Sequence, residues 1–237
     1  MSLEGDPWLG ACALPGLAID HVGIVVSRCE PVVALLRNHG FQVSDPQPLL
    51  GPDGPLGQTS AHCVFANGYI EISAPGPQGD NHLLPLLAMG EGIRILALRS
   101  ANATGDHARL LGQRLVAGPV REASRALDLP EGPMIARFQW FPVTDVLPGV
   151  LVAVVQHRDA EMVFAPALRA HPNGAKILHD VLLATAATAL APLATAAGDA
   201  AQALISPRAA VSVHGLTVTG ASRLTIDHPA FALRGMA

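Results

Sequence analysis

The chain has 237 residues, half of them hydrophobic and 14% charged, with a formal net charge of −4. A chain of this length buries a core without disulfide staples, and its mild acidity gives no reason to expect a nucleic-acid partner. Three cysteines without CxxC spacing, Cys12, Cys29 and Cys63, exclude a zinc ribbon or a disulfide framework.

A single lysine, Lys176, among fifteen basic residues reads as genome bias of a bacterial kind. The start, Met-Ser-Leu-Glu-Gly-Asp, lacks the basic-then-apolar pattern of a signal peptide, so a cytoplasmic location is expected.

Residues 19–26, Ile-Asp-His-Val-Gly-Ile-Val-Val, form an apolar run of strand length. Val32, Leu35 and Leu36 follow at helical spacing, and Gly40 suits a helix stop. Strands are predicted over 41–44, 62–66 and 69–73, with Pro/Gly-rich stretches at 45–57 and 75–79. The order then repeats. A strand over 93–100 precedes a helix carrying Leu110, Leu111 and Leu115 before Gly118, and strands follow over 120–126, 134–140 and 150–157.

A third start appears at 177–185, with Leu190, Leu193 and Ala194 before Gly198 and strand-like runs over 210–219 and 223–226. The stretch 181–197 is nearly uncharged. Thr185, Thr188, Pro192 and Thr195 interrupt it, so it is read as a buried strand entering an Ala-rich helix rather than as a membrane span.

The pattern β-α-β-β-β thus occurs twice and begins a third time, which predicts an α+β protein of repeated modules. The predicted division is 18–158 for two paired βαβββ modules (18–74 and 91–158), 159–174 for a linker, and 175–237 for a partial third module.

The first module resembles the glyoxalase-like branch of the vicinal oxygen chelate superfamily. The resemblance rests on Ile19-Asp20-His21-Val22, on the helix end His39-Gly40-Phe41, and on Asn67-Gly68-Tyr69-Ile70-Glu71-Ile72. Val155-Gln156-His157 and the later run His171-Pro172-Asn173-Gly174-Ala175 extend it. It implies that paired modules form a curved, incomplete barrel holding a divalent metal, with ligands from the first and last strands of each module. Lyase, isomerase and dioxygenase activities occur in that superfamily, and some members only bind ligands.

Strand alternation places His21 with Gly23 and Val25 on one face, and Glu71 with Tyr69 and Ser73. Imidazole with carboxylate suits Fe, Mn, Ni or Zn. His21 and Glu71 are therefore the candidate metal ligands, and Glu71 is also the candidate catalytic group. The second module departs from this pattern: Ile95 aligns with His21, and its last strand offers Gln156 or His157 as a further ligand. His62, Tyr69 and Arg137 are candidate substrate contacts. The run 171–174 reads as a structural turn. Asp20 and His21, being neighbours in a strand, are expected to face opposite ways and to form no relay.

Two functions follow as expectations. One is a metal-assisted enzyme acting on a small oxygenated substrate; the other is a metal-free small-molecule binding protein of the same fold. Either is expected to be a homodimer with no membrane or nucleic-acid partner.

Overall fold

The structure, a computed structural model, describes residues 17–78, 81–147, 149–180, 217–219 and 223–225. Strand β1 (Ile19–Val25) sends Val22 and Ile24 to one face of a sheet. Helix α1 (Cys29–Asn38) lays Val32, Val33 and Leu36 over that face. The helix ends where the sequence predicts. Gly40 takes φ +76°, its N–H bonds to the Arg37 carbonyl, and the Phe41 N–H bonds to that of Leu36. This is a Schellman cap, which glycine satisfies without a Cβ clash.

The strands β2 (Gln47–Gly51), β3 (Gly54–Val64) and β4 (Tyr69–Pro75) complete the first half. The β2 strand lies inside the Pro/Gly-rich stretch, not over 41–44 as predicted. Phe41 and Val43 are buried by packing beneath α1 rather than by strand pairing. A short helix, α2 (Leu84–Ala88), precedes β5 (Gly92–Arg99) and α3 (Ala103–Gly112). Asn102 caps α3 through the Gly105 N–H. The stop falls at Arg114, with φ +65°, and not near Gly118. A two-residue strand, β6 (Val116–Ala117), leads into β7 (Arg121–Leu129), β8 (Gly132–Leu147) and β9 (Val150–His157).

Hydrogen-bonded neighbours run β8-β7-β2-β3-β4-β1-β5-β9, and β9 pairs again with β8. The sheet is therefore a closed, eight-strand barrel-like ring with β6 on its flank, and the expected incomplete barrel is corrected. Closure is weakest between β2 and β7, which meet at the single register pair Leu50 with Ser124. The main apolar core lies outside the ring, between its outer face and the helices α1 and α3. Smaller clusters occupy the inside, as an eight-strand barrel leaves room for little more than side chains.

Beyond the ring come α4 (Ala160–Val163) and a 3-10 turn at Pro166–Arg169. The run 171–174 is structural, as read from the sequence. His171 accepts from the Gln42 N–H and contacts the Val64 carbonyl through Nε2, while Asn173 donates to the His39 carbonyl. Strand β10 (Ile177–Asp180) then pairs with β11 (Thr217–Thr219), which pairs with β12 (Arg223–Thr225). Leu178 is buried in the main core, and its backbone is held at both ends by the Asn67 amide. The predicted third helix and the stretch 181–197 lie outside the described residues. Among the described residues, no helix is long and apolar enough to cross a membrane.

Candidate functional site

The inner face of the ring carries the polar residues. Alternation on β4 turns Tyr69, Glu71 and Ser73 inward while Ile70 and Ile72 join the outer core. On β3 the inward residues are Gln58, Ser60 and His62, and on β7 they are Ala123, Arg125 and Leu127. Of these, Gln58, His62, Tyr69, Glu71 and Arg125 line a cavity of about 50 Å³. One wall holds His21, Gln58, His62, Tyr69, Glu71 and Arg125. The other is mostly apolar, with Ile95, Phe138, Trp140, Leu151, Ala153 and Val155, and with His82 beside Trp140.

Glu71 is 7% exposed and its carboxylate is surrounded by donors. Gln58 Nε2 donates to Oε1 at 2.9 Å. His62 lies directly across from Glu71 in the β3–β4 register and brings Nε2 to 3.8 Å from Oε1, while His21 Nε2 is 3.5 Å from Oε2. The structure thus brings His21, His62 and Glu71 together, with Tyr69 stacked on the His21 ring at 4.3 Å.

Asp20 overturns the expectation from strand alternation. The β1–β5 register steps from Ile19 opposite Leu98 to His21 opposite Ala97, so Asp20 is the extra residue of a bulge. Its carboxylate turns back to His21 Nδ1 at 2.8 Å. It also meets His157 Nε2 at 3.0 Å and accepts from Arg99 Nε at 2.7 Å. Gly68 permits this arrangement, because a Cβ there would stand 2.6 Å from the Asp20 carbonyl oxygen.

These contacts set the protonation states. Burial disfavours the charged forms of all four central groups, Asp20, Glu71, His21 and His62, yet their partners prevail at three of them. At Asp20 the charge and hydrogen bonds of His157 and His21 hold the carboxyl well below its ordinary range. At Glu71 the hydrogen bonds of His21 and His62 do the same. His21 is raised because Asp20 and Glu71 outweigh its burial. His62 goes the other way: burial, reinforced by the charge of Arg125, pushes it down to about 3, so the ring is neutral. Of the pair His21 and Glu71, the imidazole is therefore the more basic group.

Three predicted site residues go elsewhere. Gln156 accepts from the Ala103 N–H and donates to the Ala101 carbonyl, so both ends of its amide are used at the start of α3. His157 points to Asp20 rather than to Glu71. Arg137 forms a bidentate pair with Asp159 and lines an outer groove with Glu122 and Ser124.

The residues missed in the sequence are Arg125, Gln58 and Trp140. Ala123-Ser124-Arg125-Ala126-Leu127 alternates at period two, and extending that alternation places Arg125 inward.

The donor set does not fit the metal that the resemblance implies. His21 pairs with Ala97 and Gly23 with Ile95, so the two strands exchange equivalent positions and Ile95 stands where His21 does. Gly23 pairs with Glu71 and Ala97 with Ala153, which puts Ala153 at the counterpart of Glu71. Two of four symmetric ligand positions are thus hydrocarbon, and the Arg125 guanidinium already places a cation against the same cavity. No group of three or more His, Cys, Asp or Glu among the described residues is arranged to hold a metal ion.

The chain thus forms a closed ring of strands with polar side chains gathered on one inner wall. A family model described as Glyoxalase-like domain matches residues 19–197, and the chain belongs to that family. Similar solved structures include the methylmalonyl-CoA epimerase of Streptomyces coelicolor, at 20% identity over 61% of this chain and 96% of that one, with a TM-score of 0.44. The Mycobacterium tuberculosis methylmalonyl-CoA epimerase is 21% identical over 60% of this chain and 91% of its own, with a TM-score of 0.43. A hypothetical protein from Staphylococcus aureus covers 76% of this chain and 75% of its own at 8% identity, with a TM-score of 0.57, and shares the fold. No curated protein matches the sequence.

Proposed function

We propose that this protein is a metal-free acid–base enzyme that moves a proton on a small oxygenated substrate, of isomerase or lyase type. One observation carries the reading: the 2.8 Å contact of Asp20 with His21 Nδ1, which fixes the ring so that Nε2 faces Glu71 inside the cavity. A carboxylate on one imidazole nitrogen orients the other and raises its basicity.

His21 is then the proton-transferring group, in place of the Glu71 expected earlier. A catalytic base works best with its pKa near the working pH. His21 is raised from an ordinary value close to neutrality, whereas Glu71 is held too low to compete. Unprotonated Nε2 takes the proton from a carbon beside a carbonyl, and the electron pair of the broken C–H bond moves onto the carbonyl oxygen as an enolate. The same nitrogen returns the proton. Glu71 stabilises the imidazolium that forms between the two steps, and Gln58 holds Glu71 in place. The same reading treats residues 18–158 as two paired βαβββ modules, 159–174 as a linker and 175–237 as a partial third module.

The test is exchange of substrate C–H for deuterium in D₂O, followed by NMR over a panel of short 2-oxo acids, 2-hydroxy acids and ketones. The wild type exchanges at least one compound, and His21→Gln slows it by roughly 10²–10⁴-fold. A wild type inert toward the whole panel sinks the enzymatic reading. Saturable binding without exchange supports instead the metal-free binding protein, which the apolar wall of the cavity favours.

A further inference from the structure

Arg125 is 3% exposed and faces the inside of the ring. A buried guanidinium is costly unless it is paired, yet Nη2 has no hydrogen-bond partner among the described residues. Its guanidinium lies over the face of Tyr69, whose ring centre is 5.2 Å away. On the neighbouring strand β8, Trp140 Nε1 is a second buried N–H donor without a partner among the described residues. Both side chains line the same cavity. Buried donors are satisfied in nearly all folded proteins, so two orphans on side chains that line one cavity point to an acceptor that arrives from outside.

We infer that Arg125 and Trp140 form a carboxylate-binding subsite, and that the substrate is a short-chain carboxylic acid. A guanidinium fork matches a carboxylate in geometry and charge. The indole N–H adds a third donor and, lacking acceptor character, selects for an oxygen that only accepts. The apolar wall of Ile95, Leu151 and Val155 limits what else enters to a small hydrocarbon portion. Tyr69 ties the subsite to the proton-transfer group, since the ring that Arg125 overlies also stacks on His21. A carboxylate anchored at Arg125 would thereby present its neighbouring carbon toward His21, which is the part of the inference that rests on the proposed acid–base reading. The burial that lowers the Arg125 pKa is relieved by an incoming anion, in keeping with this role.

The test uses acetate, pyruvate, lactate and malonate as probes, with pyruvamide as the neutral counterpart of pyruvate, titrated calorimetrically into the full chain. At least one carboxylate binds the wild type, and pyruvamide binds tenfold or more weakly than pyruvate. Arg125→Met reduces carboxylate binding tenfold or more and erases the preference over the amide. Trp140→Phe weakens it by a smaller factor. A structural arginine and a ligand-binding one are separated by thermal denaturation without ligand. Removing an unpaired buried charge raises the Tm of Arg125→Met if the residue is kept for binding, and a marked fall in Tm overturns the inference. It is also overturned if no carboxylate prefers the wild type over Arg125→Met. Measuring deuterium exchange and binding on the same variants keeps the two readings apart. Loss of exchange in His21→Gln with Arg125-independent binding removes the subsite and leaves the acid–base reading. Arg125-dependent binding with no exchange in the wild type does the reverse.

Discussion

Asp20 and His21 are neighbours in a strand, yet their side chains meet at 2.8 Å because a bulge at Asp20 turns the carboxylate back toward the imidazole. Asp20 is fully buried and serves three partners at once, His21, His157 and Arg99.

Removal of this carboxylate leaves two imidazoles and a guanidinium without their shared counter-charge. Asp20→Ala is expected to lower stability by about 3–5 kcal/mol, the scale for breaking a buried ion pair from one side. Chemical denaturation measures it, and a loss below about 1 kcal/mol would contradict a structural role for the cluster.

The proposed reaction needs His21 unprotonated, so its rate should rise with pH through the native pKa of that ring. This value lies above 6.5, because Asp20 and Glu71 raise it against the effect of burial. In Asp20→Asn the charge is removed and the rise moves to lower pH. A pH–rate profile of kcat/KM for both proteins tests the shift, and identical profiles would remove Asp20 from the mechanism.

Stability has its own pH dependence, dominated on the acid side by His62. Its native pKa is about 3, while the unfolded ring titrates near 6.5. Between those values the unfolded state holds a proton that the native state refuses, so stability falls as pH drops below about 6.5. Asp20 and Glu71, with depressed native pKa values, add to the loss at still lower pH. His21 has the opposite sign: its contribution is full below about 6.5 and fades as pH rises through its raised native value. Urea midpoints from pH 7 to 4 should decline more gently in His62→Gln than in the wild type.

Gly23 lies on β1 at the floor of the cavity, where a Cβ would stand 2.6 Å from Ile95 Cβ. Gly23→Ala forces β1 and β5 apart, and overpacking of this kind costs about 1–3 kcal/mol. Ile95→Ala does not rescue the variant, since the nearest clashing atom is the Cβ that alanine retains. Full recovery of Tm in the double variant would show that the strand spacing is not set there.

Asn67 holds Leu178 with two hydrogen bonds, of 2.7 and 2.9 Å. Asn67→Ala should cost roughly 1 kcal/mol per bond and loosen β10 from the ring. Hydrogen exchange at the Leu178 amide reports it, with faster exchange expected there and little change in β1.

Much of this protein was legible in its residues alone. Period-two alternation placed His21 with Gly23 and Glu71 with Tyr69 on their own strands, and the family resemblance implied that both face one cavity. The αL preference of Gly40 fixed the end of α1. His171 and Asn173 read correctly as turn residues, and Ile95 already signalled a break in the ligand pattern. Tertiary structure decided the rest, because it depends on register and closure rather than on local pattern. A bulge leaves little trace in composition, so the Asp20–His21 contact was invisible. Whether β2 meets β7 and closes the ring depends on the accumulated twist of the strands between them, not on any one of them. The same closure carries Arg125 across from His62 and Glu71, residues more than fifty positions away in the chain. It also turns Gln156 out to α3, and only then does the cavity acquire its cation.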